Sequence, residues 1–237
     1  MNAARLIAVD IGNSSTKLGW FDAAGLQSPD QRLGSKMQSP DQRSGSLPQP
    51  HMVCDYPTGQ TPPDAWLSQL DPDPVRWRVA SVQREGQRVL ARWVLTHRPQ
   101  DDFRVLSCHD LPLAVRVDLP ERVGVDRLAA ALAANVLREA GRPAIVICTG
   151  TAVTINVVAS DGGFEGGAIL AGFRMQAEAL FGTADLLPLT MLSPADEPPP
   201  VLGKNTDAAI RSGLFWGAVG AVREIVQRLS ADLPQPP

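Results

Sequence analysis

Cysteine is scarce in this chain: Cys54, Cys108 and Cys148 are the only three in 237 residues, odd in number, far apart and without a CxxC or Cys/His cluster. That spacing excludes a disulfide framework, offers no zinc pattern and leaves reduced thiols in a cytoplasmic protein as the expectation. Histidine is as sparse, and His51, His97 and His109 lie apart from the polar turns below, as core or surface histidines do. There is no excess of positive charge either. A formal net charge of -3 gives no general attraction to nucleic acid or to an anionic membrane, so any phosphate recognition has to be local. No apolar run approaches the roughly 20 residues of a membrane helix, and no basic stretch followed by an apolar segment opens the chain. Neither a membrane span nor an export signal is expected. What is present is a hydrophobic share of 44%, enough for the core of one large domain or two small ones.

The chain opens with a strand, Leu6 to Val9, a small polar turn, Asp10 to Ser15, and a second strand, Thr16 to Phe21. The pattern then stops. QSPDQR occurs at Gln27 and again at Gln38, and residues 27–50 read as a flexible surface insertion, too polar to offset the entropy of ordering. Residues 64–70 suit a short helix, Arg76 to Val82 a strand, Gly86 to Thr96 an amphipathic helix and Phe103 to Leu106 another strand, an α/β alternation. Gly124 to Arg127 opens an alanine-rich helical run, Leu128 to Ala140, closed by Gly141 and Pro143. Ala144 to Ile147 is again a buried strand, followed by a small polar turn and a strand from Ala152 to Val158. Residues 166–173 lead into a helix, and Gly203 to Thr206 cap a last helix from Asp207. Two strand-turn-strand units, each followed by α/β material, suggest a duplicated architecture whose second half begins near residue 120.

The turns carry the chemistry. Gly12, Asn13, Ser14, Ser15 and Thr16 combine a tight backbone with hydroxyls and an amide, donors that suit phosphate oxygens. Asp10 cannot meet phosphate without repulsion, so it suits Mg²⁺ or a water on it. Lys17 is placed to neutralise phosphate, although a Lys after a turn is ordinarily just solvated. By spacing alone a plain polar hairpin fits as well. The second turn, Thr149 to Thr154, repeats the hydroxyls around Gly150. Asp126 and Arg127 stand side by side at a helix start, suited to accepting a hydroxyl proton and to binding a carboxylate. The alternative is a dipole-favoured Asp beside a surface Arg.

The order DIGNSSTK, VGVDR, TGTAVTIN, GGAILAGF, TADLLP and GKNTDAAIRSG resembles the type III pantothenate kinases, members of the acetate kinase/Hsp70/actin superfamily related to the Bvg accessory factor proteins. The resemblance implies an α/β fold of two ribonuclease H-like halves, each a mixed five-stranded sheet flanked by helices, in an actin-like ATPase architecture. Here the halves would be residues 1–119 and 120–237, the second carrying the dimer interface. It further implies ATP in the cleft between the halves, transfer of its γ-phosphoryl group to the hydroxyl of pantothenate, the first step of coenzyme A synthesis, and a homodimer using Mg²⁺ with a monovalent cation, K⁺ or NH₄⁺. Residue by residue, Asp10 serves the metal and phosphates, with Gly12, Asn13, Ser14, Ser15, Thr16 and Lys17 in the first phosphate turn. Gly150, Thr151 and Ala152 form the second. Gly124, Val125, Asp126 and Arg127 meet pantothenate, Asp126 acting as base, and Thr183 lies nearby.

Three departures from that pattern stand out. Cys148 occupies a cation-ligand position where the family usually has Asp, and a neutral thiol neither replaces that charge nor suits Mg²⁺ or K⁺. Asn156 stands where an Asp is common, and Val117 replaces a Tyr. They leave a second reading open, a catalytically impaired homologue that binds nucleotide or acts as a regulator.

Overall fold

The structure, a computed structural model, describes residues 5–21, 47–70, 72–193 and 197–237. These belong to two compact units, Met1–Ala140 and Gly141–Pro237. The repeat at 27–50 lies outside the described residues up to 46, and residues 47–50 carry no regular element.

In the first unit, β1 (Leu6–Ile11), β2 (Ser15–Phe21) and β3 (Met52–Pro57) form an antiparallel meander, while β4 (Arg76–Ser81) and β5 (Asp102–Val105) add parallel strands in the order β3-β2-β1-β4-β5. Period-2 alternation buries Ile7, Val9 and Ile11 on one face of β1 and Val75, Trp77 and Val79 around β4. Two helices meet this core: α1 (Asp64–Leu67) contributes Trp66, and α2 (Arg84–His97) contributes Leu90, Trp93 and Val94 at helical spacing. Trp77 is fully buried and takes edge contacts from Trp66 at 5.9 Å and Trp93 at 6.3 Å between ring centroids. His97, at the end of α2, stacks on Trp93 and bonds its carbonyl, a structural role.

A buried ionic network pins β4 to the turn before β5. Asp101 accepts from the Val75 N–H at 3.1 Å, the Trp77 Nε1–H at 2.8 Å and the Arg98 guanidinium at 2.9 Å, and Arg98 also donates to the Asp73 carbonyl at 2.7 Å. Both partners are almost wholly out of solvent, the side chains being 7% and 0% exposed for Arg98 and Asp101. Asp101→Ala would remove the carboxylate that a buried guanidinium and an indole N–H both use. Its unfolding free energy in urea is expected to fall by about 3–5 kcal/mol; a loss under about 1 kcal/mol would show that the network does not hold the sheet.

The helix α3 (Val125–Leu137) packs against β4 within the first unit and buries Leu128 and Ala131. Helix α3 and strand β4 both lie in the unit Met1–Ala140. The helix also stops short of Ala140. Arg138 is extended at ψ 158°, and Gly141 follows with φ +80°, the left-handed region that glycine enters without strain.

The second unit departs from expectation more. Among its described residues the sheet has three strands, not five: β6 (Ala144–Thr149), β7 (Ala152–Val158) and β8 (Phe164–Ala171), antiparallel throughout in the order β6-β7-β8. The reason is visible after β8. The chain continues as α4 (Phe173–Thr183), a Pro-rich stretch and α5 (Thr206–Asp232), and its described residues add no further strand. Its core is Val153, Ile155, Val157, Val158 and Phe164, with Ala177 of α4 against Ile210 and Leu214 of α5. Asn205 caps α5 by accepting from the Ala208 N–H at 2.8 Å.

Candidate active site

The alternation that buries Ile7, Val9 and Ile11 turns Asp10 to the opposite face, at an exposed strand end. Lys17 is its direct cross-strand partner, and Asp55 lies opposite Lys17 on β3, so the three charged residues form one exposed row of alternating sign. Between β1 and β2 the turn closes through the Gly12 N–H donating to the Ser15 carbonyl at 3.0 Å. Asn13 and Ser14 are exposed at its tip. Thr16, expected among the phosphate donors, is instead 2% exposed with its hydroxyl 3.1 Å from that of Thr58. It shares the inward face of β2 with Leu18, and its hydroxyl is spent on the protein.

Asp126 reaches the same site from α3. Beyond β4 the parallel pairing runs on, the Val82 N–H donating to the Ile11 carbonyl at 3.0 Å, and Val82 Cγ1 lies 3.3 Å from where a Cβ on Gly124 would sit. Gly124 is the N-cap of α3, so the start of that helix abuts the end of β1. Asp126, in the first helical turn, accepts the Arg127 N–H at 2.8 Å. Its charge is felt at Asp10: partial burial and then repulsion from Asp126 push the Asp10 pKa up, while Lys17 pulls it down. Two carboxylates held close enough to repel, beside a lysine and a polar turn, are hard oxygen donors. They fit Mg²⁺, which needs only one or two carboxylates and completes its shell with water and phosphate. The described residues contain no group of three His, Cys, Asp or Glu able to hold a metal.

The raised pKa has a consequence for stability. The folded state holds the Asp10 proton more tightly than the unfolded one, so the favourable contribution is full below the ordinary carboxylate value and is lost as pH rises through the folded value. Asp10→Asn, which never ionises, should therefore gain on the wild type in metal-free melts as pH rises from about 3 to about 7. Millimolar Mg²⁺ should raise the wild-type melting temperature and leave that of Asp10→Asn unmoved. Parallel pH profiles for the two proteins would contradict this.

In the second unit Gly150 and Thr151 link β6 to β7, with the Gly150 N–H donating to the Ala152 carbonyl at 3.0 Å. Gly172, before α4, donates to the Thr151 carbonyl at 3.0 Å, and a Cβ on it would run into the backbone oxygens of Gly150 and Thr151. The absence of a side chain at Gly172 thus lets the turn seat on the chain entering α4. Cys148 is an exposed free thiol one strand position before this turn. Sulfur there does not fit a K⁺ or NH₄⁺ site, for which hard oxygen is required. Asn156 is fully buried, its amide donating to Thr154 Oγ1 at 3.2 Å. It is a core polar group in β7. Thr183 ends α4, exposed, with its hydroxyl on the Ala179 carbonyl.

Within the first unit, then, the structure gathers Asp10, Gly12 to Ser15, Lys17, Gly124 and Asp126; Gly150, Thr151, Ala152 and Thr183 belong to the second. Thr58, one position past β3, and Gly86 of α2 support the first turn and carry no motif that reveals them. A cavity of about 300 Å³ along α2, with Arg88, Arg92, Trp93 and His97 in its wall, contains none of the expected site residues.

The family model of type III pantothenate kinase matches residues 6–228. Similar curated proteins are the type III pantothenate kinases of Maricaulis maris, 40% identical over 126 residues covering 53% of this chain and 47% of that one, and of Phenylobacterium zucineum, 37% over 127 residues covering 54% and 48%. That of Ruegeria sp. is 44% identical over 122 residues, covering 52% and 45%. The chain spans about half the length of the curated relatives it matches. With the match to the family model extending over nearly all of its length, from β1 into α5, the chain belongs to the type III pantothenate kinase family.

Proposed function

We propose that this protein transfers the γ-phosphoryl group of ATP to the hydroxyl of pantothenate, giving 4'-phosphopantothenate and ADP, the first step of coenzyme A synthesis. The observation that carries this reading is the pairing of Asp10 and Asp126 beside the Gly12 to Ser15 turn, in a chain of this family. In the reaction the pantothenate hydroxyl oxygen forms a bond to phosphorus, the bond from phosphorus to the ADP oxygen breaks, and the hydroxyl proton passes to the Asp126 carboxylate. Arg127 beside it is suited to the pantothenate carboxylate. Asp10 would hold Mg²⁺ through its carboxylate, and the ion bound there would supply charge neutralisation for the phosphates. Asn13, Ser14 and Ser15 direct donors at the phosphates, and Lys17 adds a positive charge on the same face as Asp10. Within the second unit, Gly150, Thr151 and Ala152 form a turn of small residues suited to the same backbone chemistry.

The strand order β3-β2-β1-β4-β5 of the first unit supports reading it as a ribonuclease H-like half that supplies the first phosphate turn. Exposed Ile169, Met175, Phe181, Leu186 and Trp216 give the second unit apolar surface of the kind a homodimer covers. Free thiols at Cys54, Cys108 and Cys148 accord with a cytoplasmic enzyme, and no helix among the described residues is long and apolar enough to cross a membrane. The reading is tested by ADP release with Mg²⁺ and ATP, with and without pantothenate. Release that requires pantothenate supports it, and release indifferent to pantothenate overturns it.

A further inference from the structure

The first turn is held from beneath by a residue that no motif marks. Thr58, one position past β3, donates its hydroxyl to the Gly12 carbonyl at 2.8 Å and its backbone N–H to the Ser14 carbonyl at 3.2 Å. Its Oγ1 also lies 3.1 Å from Thr16 Oγ1. A threonine hydroxyl has one proton, and that of Thr58 goes to Gly12; the Thr16 hydroxyl is therefore the donor in the second bond. The result is a directed chain, Thr16 to Thr58 to the Gly12 carbonyl, running from the buried face of β2 to the turn.

The geometry points to Thr58 as the positioning residue of the phosphate turn, acting by fixing the direction of its amides. In a trans peptide the C=O and the following N–H point in opposite directions. With the Gly12 carbonyl drawn to Thr58 Oγ1, the Asn13 N–H is turned away from Thr58; with the Ser14 carbonyl drawn to the Thr58 N–H, so is that of Ser15. One residue thus orients two peptide planes of a four-residue turn and aims two donors at its outer side, the arrangement a bound phosphate needs. Thr58 is itself wedged in place. Its Cγ2 lies 2.6 Å, and Ile11 Cγ2 3.0 Å, from the position a Cβ would take on Gly86, so only glycine at that point of α2 leaves room for both methyl groups. The Gly86 N–H is in turn capped by the Gln83 side chain.

This inference rests on the reading that the turn takes phosphate, and two measurements separate the two claims. Thr58→Val keeps the branched shape and removes the hydroxyl; Thr58→Ser keeps the hydroxyl. Amide hydrogen exchange over residues 12–16 is expected to speed up about tenfold in Thr58→Val and to stay near wild type in Thr58→Ser. Calorimetric affinity for MgADP is expected to weaken about tenfold in the first and to be rescued in the second. Thr58→Ala carries the same expectation as Thr58→Val, should the valine protein fail to fold. Unchanged exchange in the hydroxyl-less variants would overturn the positioning role, as would looser exchange with undiminished MgADP affinity. A wild type that binds no MgADP, with exchange still responding to Thr58, would leave Thr58 as the clamp of the turn and remove the phosphate reading instead.

Discussion

Asp126→Asn is expected to fold as the wild type does and to lose phosphoryl transfer by about 10²- to 10⁴-fold, the range that separates a reaction with a positioned base from one without. The residue sits in the first turn of α3, where its carboxylate accepts the Arg127 N–H at 2.8 Å, and the asparagine amide oxygen can accept the same bond. The helix start is therefore preserved while the proton acceptor is lost. The loss should fall on kcat, with the KM for ATP little changed, since Asp126 acts on the hydroxyl and not on the nucleotide. A second signature follows from electrostatics. Asp126 is one of the two causes that raise the Asp10 pKa, so its neutralisation should bring Asp10 back toward the ordinary carboxylate value and flatten the pH dependence of metal-free stability. A variant with intact turnover and an unmoved stability profile would contradict both the catalytic role and the coupling.

Cys148→Asp is expected to raise kcat/KM about tenfold to a hundredfold, equivalent to about 1.4–2.7 kcal/mol of transition-state stabilisation. The thiol is exposed at the end of β6, directly before Thr149 and Gly150, and its cross-strand partner is Thr154. A carboxylate there needs no burial and displaces no packing, so stability should change by no more than about 0.5 kcal/mol. What it adds is a hard, anionic oxygen at a position where the resemblance places an acidic cation ligand and where sulfur serves neither Mg²⁺ nor K⁺. The gain should accordingly depend on K⁺ or NH₄⁺ and vanish when Na⁺ replaces them. Equal activity of wild type and variant under every cation would show that the second turn works without a carboxylate at 148.

Much of this site is visible in the sequence because local chemistry and strand periodicity agree there. The apolar run before Asp10, the small polar turn and the second strand could hardly fold otherwise than as a hairpin, and Asp10 and Lys17 then face each other by register alone. Periodicity carries one more message than composition suggests. Thr16 lies two residues before buried Leu18, so the alternation of β2 sends its hydroxyl inward, whatever a hydroxyl in a turn is suited to bind. The helix Val125–Leu137 is legible from its alanines, but its packing on β4, which brings Asp126 to Asp10, depends on tertiary contacts without a local signature. Thr58 is hidden for the same reason: its bonds reach Gly12 and Thr16 across more than forty positions of sequence. The three strands of the second unit mark the limit of reasoning by symmetry. The resemblance implies five, yet beyond Ala171 the described residues run on as helices and a Pro-rich stretch and add no strand.

The most direct test is mass-spectrometric detection of 4'-phosphopantothenate after incubating the purified, folded protein with pantothenate, ATP, Mg²⁺ and K⁺, alongside Asp126→Asn. Product that forms with the wild type, requires both substrates and drops by at least a hundredfold in the variant is the predicted result. Folded wild-type protein that binds MgATP yet yields no phosphopantothenate at any Mg²⁺ or K⁺ concentration would contradict it.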